Sequence, residues 1–159
     1  ISLILAGIDT LKSDSDKVTR LLGFAGKKYR YHKDSRQLLD KAGEIAERSG
    51  NEKSLINYWY SMGNFFYFGS NPDSSNYYLE KALSVESVHN WPFLYSQILA
   101  TQSGLQAING QVSLALQTKL DAKEILVNLD TLKLSESDKI RRRGQISILD
   151  NSIDRKSVV

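Results

Sequence analysis

The sequence contains no cysteine, and this absence removes several kinds of chemistry at once. Disulfide bonds, thiol catalysis and zinc sites with cysteine ligands are all excluded. Only two histidines occur, His32 and His89, and neither has a second histidine at the spacing of a metal-ligand pair. The remaining residues do not provide a recognisable set of nucleophile, base and orienting group. We therefore expect no enzymatic activity, no cofactor and no metal site.

Long hydrophobic runs are also missing. The longest apolar stretch is Leu3 to Ile8, which is far shorter than the roughly 20 residues that a helix needs to cross a bilayer. We therefore expect no membrane insertion in this segment. The opening ISLILAGI has no basic region ahead of it, and we interpret it as the tail of a preceding helix rather than as a signal peptide. A chain without cysteine fits either side of a cell membrane, so the sequence indicates no compartment.

The composition is typical of an ordered protein, because 41% of the 159 residues are hydrophobic and 25% are charged. The net charge of +3 is mild. The densest basic run is Lys139 to Arg143, but Glu136 and Asp138 precede it and no aromatic residue accompanies it. A stacking platform for nucleic acid needs such aromatics. We interpret the run as an exposed helix face and expect no nucleic-acid partner.

A repeat with a step of 40 residues runs through the chain. Small residues align with small ones, and branched aliphatic residues align with each other. The aligned sets are Gly23, Gly63 and Ser103; Ser35, Ser75 and Ala115; Ala42, Ala82 and Ala122; and Ile45, Val85 and Ile125. A fixed step of this size is typical of helical repeat arrays.

Capping residues and prolines predict where the helices begin and end. Asn71 precedes Pro72, and Pro92 again stands where a first helical turn should start. Asn109-Gly110 predicts a tight turn, and Tyr31 to Lys33 predicts another. The tail from Asn151 lacks helical periodicity. The predicted helices span about 15–30, 35–49, 52–68, 72–85, 93–108, 111–126 and 136–149.

Apolar spacing within two of the predicted helices also indicates which side chains are buried. In the second helix these are Leu38, Leu39, Ala42, Ile45 and Ala46. In the helix at about 111–126 they are Leu114, Ala115, Leu120, Ala122, Ile125 and Leu126.

The middle unit resembles the tetratricopeptide repeat (TPR). The matching residues are Trp59, Met62, Gly63 and Phe66 on its first helix, and Ser75, Leu79 and Ala82 on its second. The first and third repeats match less completely. Thr19 and Gly26 depart from the pattern in the first repeat, and Gln106 and Lys119 depart from it in the third. The resemblance covers about 15–127. The step of 40 is similar to the lengthened TPR units of bacterial sensory and regulatory proteins.

This resemblance implies an all-α fold, in which antiparallel helical hairpins stack into a right-handed superhelical solenoid. The whole chain, 1–159, is then one TPR-like domain. Its repeats span about 15–50, 52–86 and 92–127, and an additional helix spans about 136–149. Small residues such as Gly63 and Ala82 are expected where paired helices approach each other closely.

The resemblance also implies a concave groove lined by the first helix of each pair. The first repeat contributes Lys17, Arg20, Phe24, Lys27 and Lys28 to this groove. The second repeat contributes Ile56, Tyr60, Asn64, Tyr67 and Phe68. The third repeat contributes Gln97, Ala100, Gly104, Ala107 and Ile108. Such a groove is basic at one end and aromatic in the middle, which suits an extended peptide with acidic residues followed by apolar ones.

Alternatives remain open both for the role of these residues and for the function of the chain. The basic residues can be an ordinary solvated face, and the aromatic residues can be core. The first hypothesis for function is a protein- or peptide-binding scaffold that forms the sensing or assembly segment of a larger regulatory protein. The second is an architectural role, as a spacer or as a homo-oligomer.

The carboxylate clamp of chaperone-binding TPR domains is largely absent, since its positions hold Arg20, Phe24, Ser61, Gln97 and Thr101.

Overall fold

The computed structural model describes residues 2–27 and 34–154, except for the side chains of Lys27, Ile153 and Asp154. Within these ranges the chain forms eight α-helices and one short 3₁₀ helix, and it contains no strand. The α-helices are α1 (Ser2–Asp9), α2 (Asp14–Lys27), α3 (Asp34–Ser49), α4 (Glu52–Phe68), α5 (Pro72–Leu83), α6 (Pro92–Ile108), α7 (Val112–Val127) and α8 (Glu136–Asp154). The predicted all-α fold class is confirmed.

The helix boundaries follow local capping chemistry. Asn51 accepts a hydrogen bond from the Ser54 amide at 2.9 Å, and Asn71 accepts one from the Ser74 amide at 3.1 Å. Each bond satisfies an amide that the helix itself leaves without a partner. The turn between α6 and α7 has Gly110 at φ +78°, a backbone conformation that glycine adopts without strain.

Two stretches differ from the boundaries expected from sequence, and the opening run, for which no bounds were predicted, is also helical. The connection Glu86–Asn90 is a 3₁₀ helix, in which Val88 is buried. Helix α8 continues to Asp154, beyond its predicted end. The opening apolar run is helix α1, which buries Ile8 in the neighbouring core. The turn predicted at Tyr31 to Lys33 lies outside the described residues.

The chain divides into two compact units, 1–88 and 89–159. In the first unit, α2 packs on α3 and α4 packs on α5, and α4 also contacts both α2 and α3. In the second unit, α6 packs on α7, and α7 packs on α8. The prediction of one continuous TPR-like domain stays a prediction. None of the described helices is both long and apolar enough to cross a membrane.

Small residues allow the helices of the first unit to approach closely. A side chain added at Gly63 would place its Cβ 2.7 Å from Leu79 Cδ2, and one added at Gly43 would place it 2.5 Å from Tyr58 Cζ. A buried hydroxyl also joins the two helices of each hairpin. Ser75 Oγ of α5 donates to the Gly63 carbonyl of α4 at 2.8 Å, and Ser35 Oγ of α3 donates to the Ala25 carbonyl of α2 at 3.0 Å. The predicted close approach at Gly63 is confirmed.

The second unit is built on a narrower stripe of α7. Its buried positions are Ala115, Thr118, Ala122 and Leu126, which recur at helical spacing. Leu114 and Leu120 were expected in this core, but they are 49% and 42% exposed, because Leu114 lies at the edge of that stripe and Leu120 lies on the opposite side of α7. A buried Ser96 Oγ donates to the Ala122 carbonyl at 2.7 Å and joins α6 to α7.

Candidate peptide-binding surface

The predicted binding residues of the first unit lie on two helices that contact each other, α2 and α4. On α2, Val18, Leu21 and Ala25 enter the core. Arg20 lies on another side of the same helix and is exposed. On α4, Tyr60, Asn64 and Phe68 recur every four residues and therefore share one side of the helix. We call the outward residues of these two helices the α2–α4 surface: Lys17, Arg20, Phe24, Tyr60, Asn64, Tyr67 and Phe68.

The basic part of the α2–α4 surface is less basic than the sequence indicates. Lys17 Nζ lies 3.6 Å from Asp14 Oδ1, and its side chain is only 19% exposed. Arg48 reaches the same carboxylate from α3, also at 3.6 Å. Arg20 is exposed and forms no ion pair with any described residue. Lys28 and the side chain of Lys27 lie outside the described residues.

The aromatic part of the surface comes from the C-terminal half of α4. Phe68 is 44% exposed, while Tyr60, Asn64 and Tyr67 are half-buried. The rings of Tyr67 and Phe68 meet edge to face, with centroids 5.2 Å apart. Phe24, from α2, is half-buried and packs against the core of the first unit. The rings thus combine a packed side with an accessible side.

Ile56 does not belong to this surface, although the register of the family pattern placed it there. Its side chain is fully buried. Ile56 and Gly63 are seven residues apart and therefore share one side of α4, and Gly63 faces Leu79 of the paired helix.

The residues expected from the third repeat lie in the second compact unit. Gln97 is half-buried on α6, and its backbone carbonyl accepts a hydrogen bond from Thr101 Oγ1 at 3.2 Å. Ala100, Gly104 and Ala107 are also half-buried. Ile108 is well exposed at the end of the helix. Within its own unit, α6 therefore carries a small and apolar outer side.

A second aromatic cluster, which the sequence analysis missed, lies on α4 and α5. Lys81 Nζ lies 5.1 Å from the Trp59 ring centroid and 5.4 Å from that of Tyr77. Phe66 and Tyr78 stack with centroids 5.7 Å apart and planes 11° apart. The spacing of Tyr77 and Lys81, one helical turn apart, was the available signal.

No group of three or more histidine, aspartate and glutamate side chains that could hold a metal ion occurs in the ranges that the structure describes. Comparison of the chain with protein-family models, with curated proteins and with solved structures finds no match.

Proposed function

We propose that the chain is a TPR-like scaffold whose α2–α4 surface binds an extended peptide. The observation that carries this proposal is the contact between α2 and α4, which brings Arg20 and the accessible rings of Tyr60, Tyr67 and Phe68 onto neighbouring helices. A peptide can contact such a surface through aromatic area that costs little side-chain entropy.

Three features of the packing support a TPR-like arrangement. Ala42, Ala82 and Ala122, which follow one another at the 40-residue step, are all fully buried. The second helix of each of the first two pairs donates a serine hydroxyl to a carbonyl of the first helix. Helix α4 contacts both helices of the pair before it, as stacked hairpins require. Continued stacking would produce the right-handed solenoid that the family resemblance implies.

The chemistry of the surface favours a peptide with acidic residues followed by apolar ones. Arg20 provides a guanidinium that can bind a carboxylate with two parallel hydrogen bonds. Tyr60, Tyr67 and Phe68 provide the apolar contact area. A scaffold of this kind suits the sensing or assembly segment of a larger regulatory protein.

Titration of the protein with a fluorescent peptide library, read by anisotropy, tests the assignment. Arg20→Glu is expected to weaken binding of acidic peptides by about tenfold or more, because it replaces an attraction by a repulsion. Tyr60→Ala is expected to weaken the binding of every peptide that uses this surface. The matched controls are Lys133→Glu and Tyr77→Ala, which change an exposed cation and an exposed ring elsewhere. Binding that is unaffected by Arg20→Glu and Tyr60→Ala would exclude the α2–α4 surface.

A second candidate function is self-association, and the outer side of α7 favours it. Val112, Leu116, Leu120 and Val127 are apolar and exposed, and they recur along this helix. Light scattering over a concentration series distinguishes the two functions. The architectural role is favoured if the molecular mass rises with concentration, if Leu120→Lys lowers it again, and if the protein takes up no peptide.

A further inference from the structure

The basic run at Lys139 to Arg143 is divided between separate tasks. Arg142 Nε donates to the Leu126 carbonyl at 2.6 Å, and its Nη2 donates to the Val127 carbonyl at 3.0 Å. The Arg141 guanidinium carbon lies 4.7 Å from the Phe93 ring centroid, in a cation–π contact. Two of the four cations thus hold helices of the second unit together.

The other two cations, Lys139 and Arg143, line a cavity of about 230 Å³. Its walls are formed by Thr131, Glu136, Lys139, Arg142 and Arg143. Three cations therefore face one carboxylate. Lys139 Nζ is already 2.6 Å from Glu136 Oε1. Arg143 is exposed, and no partner for its guanidinium is found among the residues that the structure describes.

We propose that this cavity binds a phosphate-sized oxyanion, either free phosphate or the phosphate of a monoester. The Arg142 guanidinium has five N–H groups, and the two backbone carbonyls engage its Nε and Nη2 atoms and fix its plane. Its remaining donors, the Arg143 guanidinium and the Thr131 hydroxyl can then satisfy an anion with several oxygens. Hydrogen bonds between charged partners of this kind are the strongest that a protein surface offers.

The site depends on these side chains and not on the start of α8. The first turn of that helix already contains Glu136 and Asp138. Ser135 Oγ also accepts a hydrogen bond from the Asp138 amide at 3.1 Å. The excess of positive charge comes from one side of α8, a turn or more further along, and from the fixed guanidinium of Arg142.

Calorimetric titration of the whole chain with inorganic phosphate, at constant ionic strength maintained with chloride, tests the proposal. We expect saturable binding with one phosphate per chain. Arg143→Ala is expected to weaken it by about tenfold, since one charged donor is lost. Glu136→Gln is expected to strengthen binding, because it removes the carboxylate that repels the anion and occupies Lys139. Arg141→Ala, on the same helix but stacked on Phe93, is expected to leave the affinity unchanged.

A parallel titration with N-acetyl-phosphoserine amide distinguishes the two sources of phosphate. Tighter binding of this compound assigns the site to a monoester, and tighter binding of inorganic phosphate assigns it to the free anion. The proposal is overturned if phosphate binds no better than chloride. Equal losses in Arg143→Ala and Arg141→Ala would also overturn it, since general charge attraction would then explain the uptake.

Discussion

Glycine sets the distance between helices at two positions of the first unit, Gly43 and Gly63. The atoms that an added Cβ would meet differ in kind. At Gly63 it would meet the end of the Leu79 side chain, and at Gly43 it would meet the ring of Tyr58. A leucine can change rotamer, whereas a packed ring must move as one body. The two positions therefore differ in how much substitution they tolerate.

Replacement of either glycine by alanine is expected to destabilise the protein. We expect Gly63→Ala to lower the free energy of unfolding by about 1–3 kcal/mol, and Gly43→Ala to lower it by at least as much. The control is Gly23→Ala, where the added Cβ meets nothing within 4 Å beyond its chain neighbours and the backbone of its own helix, and where alanine favours the helix by about 1 kcal/mol. Urea unfolding measures all three, and equal effects at Gly23 and Gly63 would contradict the close approach.

Tyr58 is expected to make stability depend on pH in the alkaline range. Burial, together with Tyr78 and Asp40 nearby, raises the pKa of the Tyr58 hydroxyl to about 12. In the unfolded chain the pKa of tyrosine is about 10. The folded state therefore holds the proton more tightly, so its contribution is complete below about pH 10 and is lost as the pH rises towards about 12.

The expected loss over this range is about 1–2 kcal/mol. Unfolding measured at pH 9 and at about pH 11 should show a steeper decline in the original chain than in Tyr58→Phe. Tyr77→Phe, which changes an exposed tyrosine of α5, is expected to keep the original slope. Identical slopes in all three proteins would show that Tyr58 titrates normally.

Sequence spacing could predict Gly63 and the three fully buried alanines, because their small size is itself the signal. It could not predict the packing of Tyr58. That ring fits only because Gly43, in a different helix, leaves room for it, and no pattern within either helix records the pairing. Ile56 was misplaced for a related reason, since a family register carries over a position but not the side that this particular helix buries.

Helix ends could be predicted where side chains define them. Asn71 forms the expected cap, and Pro72 and Pro92 are the first residues of their helices. The end of α8 could not be predicted, because it contains neither a glycine stop nor an apolar period. Leu114 and Leu120 of α7, which were expected in the core but are exposed, show the same limit. Apolar spacing indicates that a helix has an apolar side, but how much of that side is buried depends on the packing of the neighbouring helices.

Arg142 is expected to hold α8 on α7, because it donates to the last carbonyls of the shorter helix. Arg142→Ala leaves those carbonyls without their charged partner, and we expect a loss of about 1–3 kcal/mol in the free energy of unfolding. Arg142→Lys should recover only part of it, since lysine lacks the planar pair of donors. Urea unfolding of Arg143→Ala provides the control, with an expected change within about 0.5 kcal/mol. Equal destabilisation by both alanine variants would contradict this role.

At the scale of the whole chain, the division near residue 88 is the main feature that sequence repeats did not indicate. The repeat step treats every junction between units alike. Packing does not, because the core cluster around Ile8, Leu38 and Met62 draws all its residues from the first 78 positions. The α2–α4 surface could be predicted from the family resemblance only as a set of positions, because ion pairing such as that of Lys17 with Asp14 depends on the fold.

A fragment containing residues 1–88 is expected to fold alone. It retains the complete core cluster and both helix pairs of the first unit. Circular dichroism should show helix, and urea unfolding should be cooperative. A fragment ending at residue 68 lacks α5 and with it Leu79 and Ala82, both fully buried, so we expect it to lose cooperative unfolding. If both fragments behave alike, the first unit does not end where the contacts indicate.

The self-contained core of the first unit also bears on how the chain acquires its structure during synthesis. Most of its contacts join helices that are neighbours in the chain, and such local contacts allow rapid folding. The ribosome releases residues in order, so the first unit can be complete while α7 and α8 are still being made. The apolar residues of α7 would then emerge only after the first unit has buried its own core, so the nascent chain does not expose the apolar residues of both units at the same time.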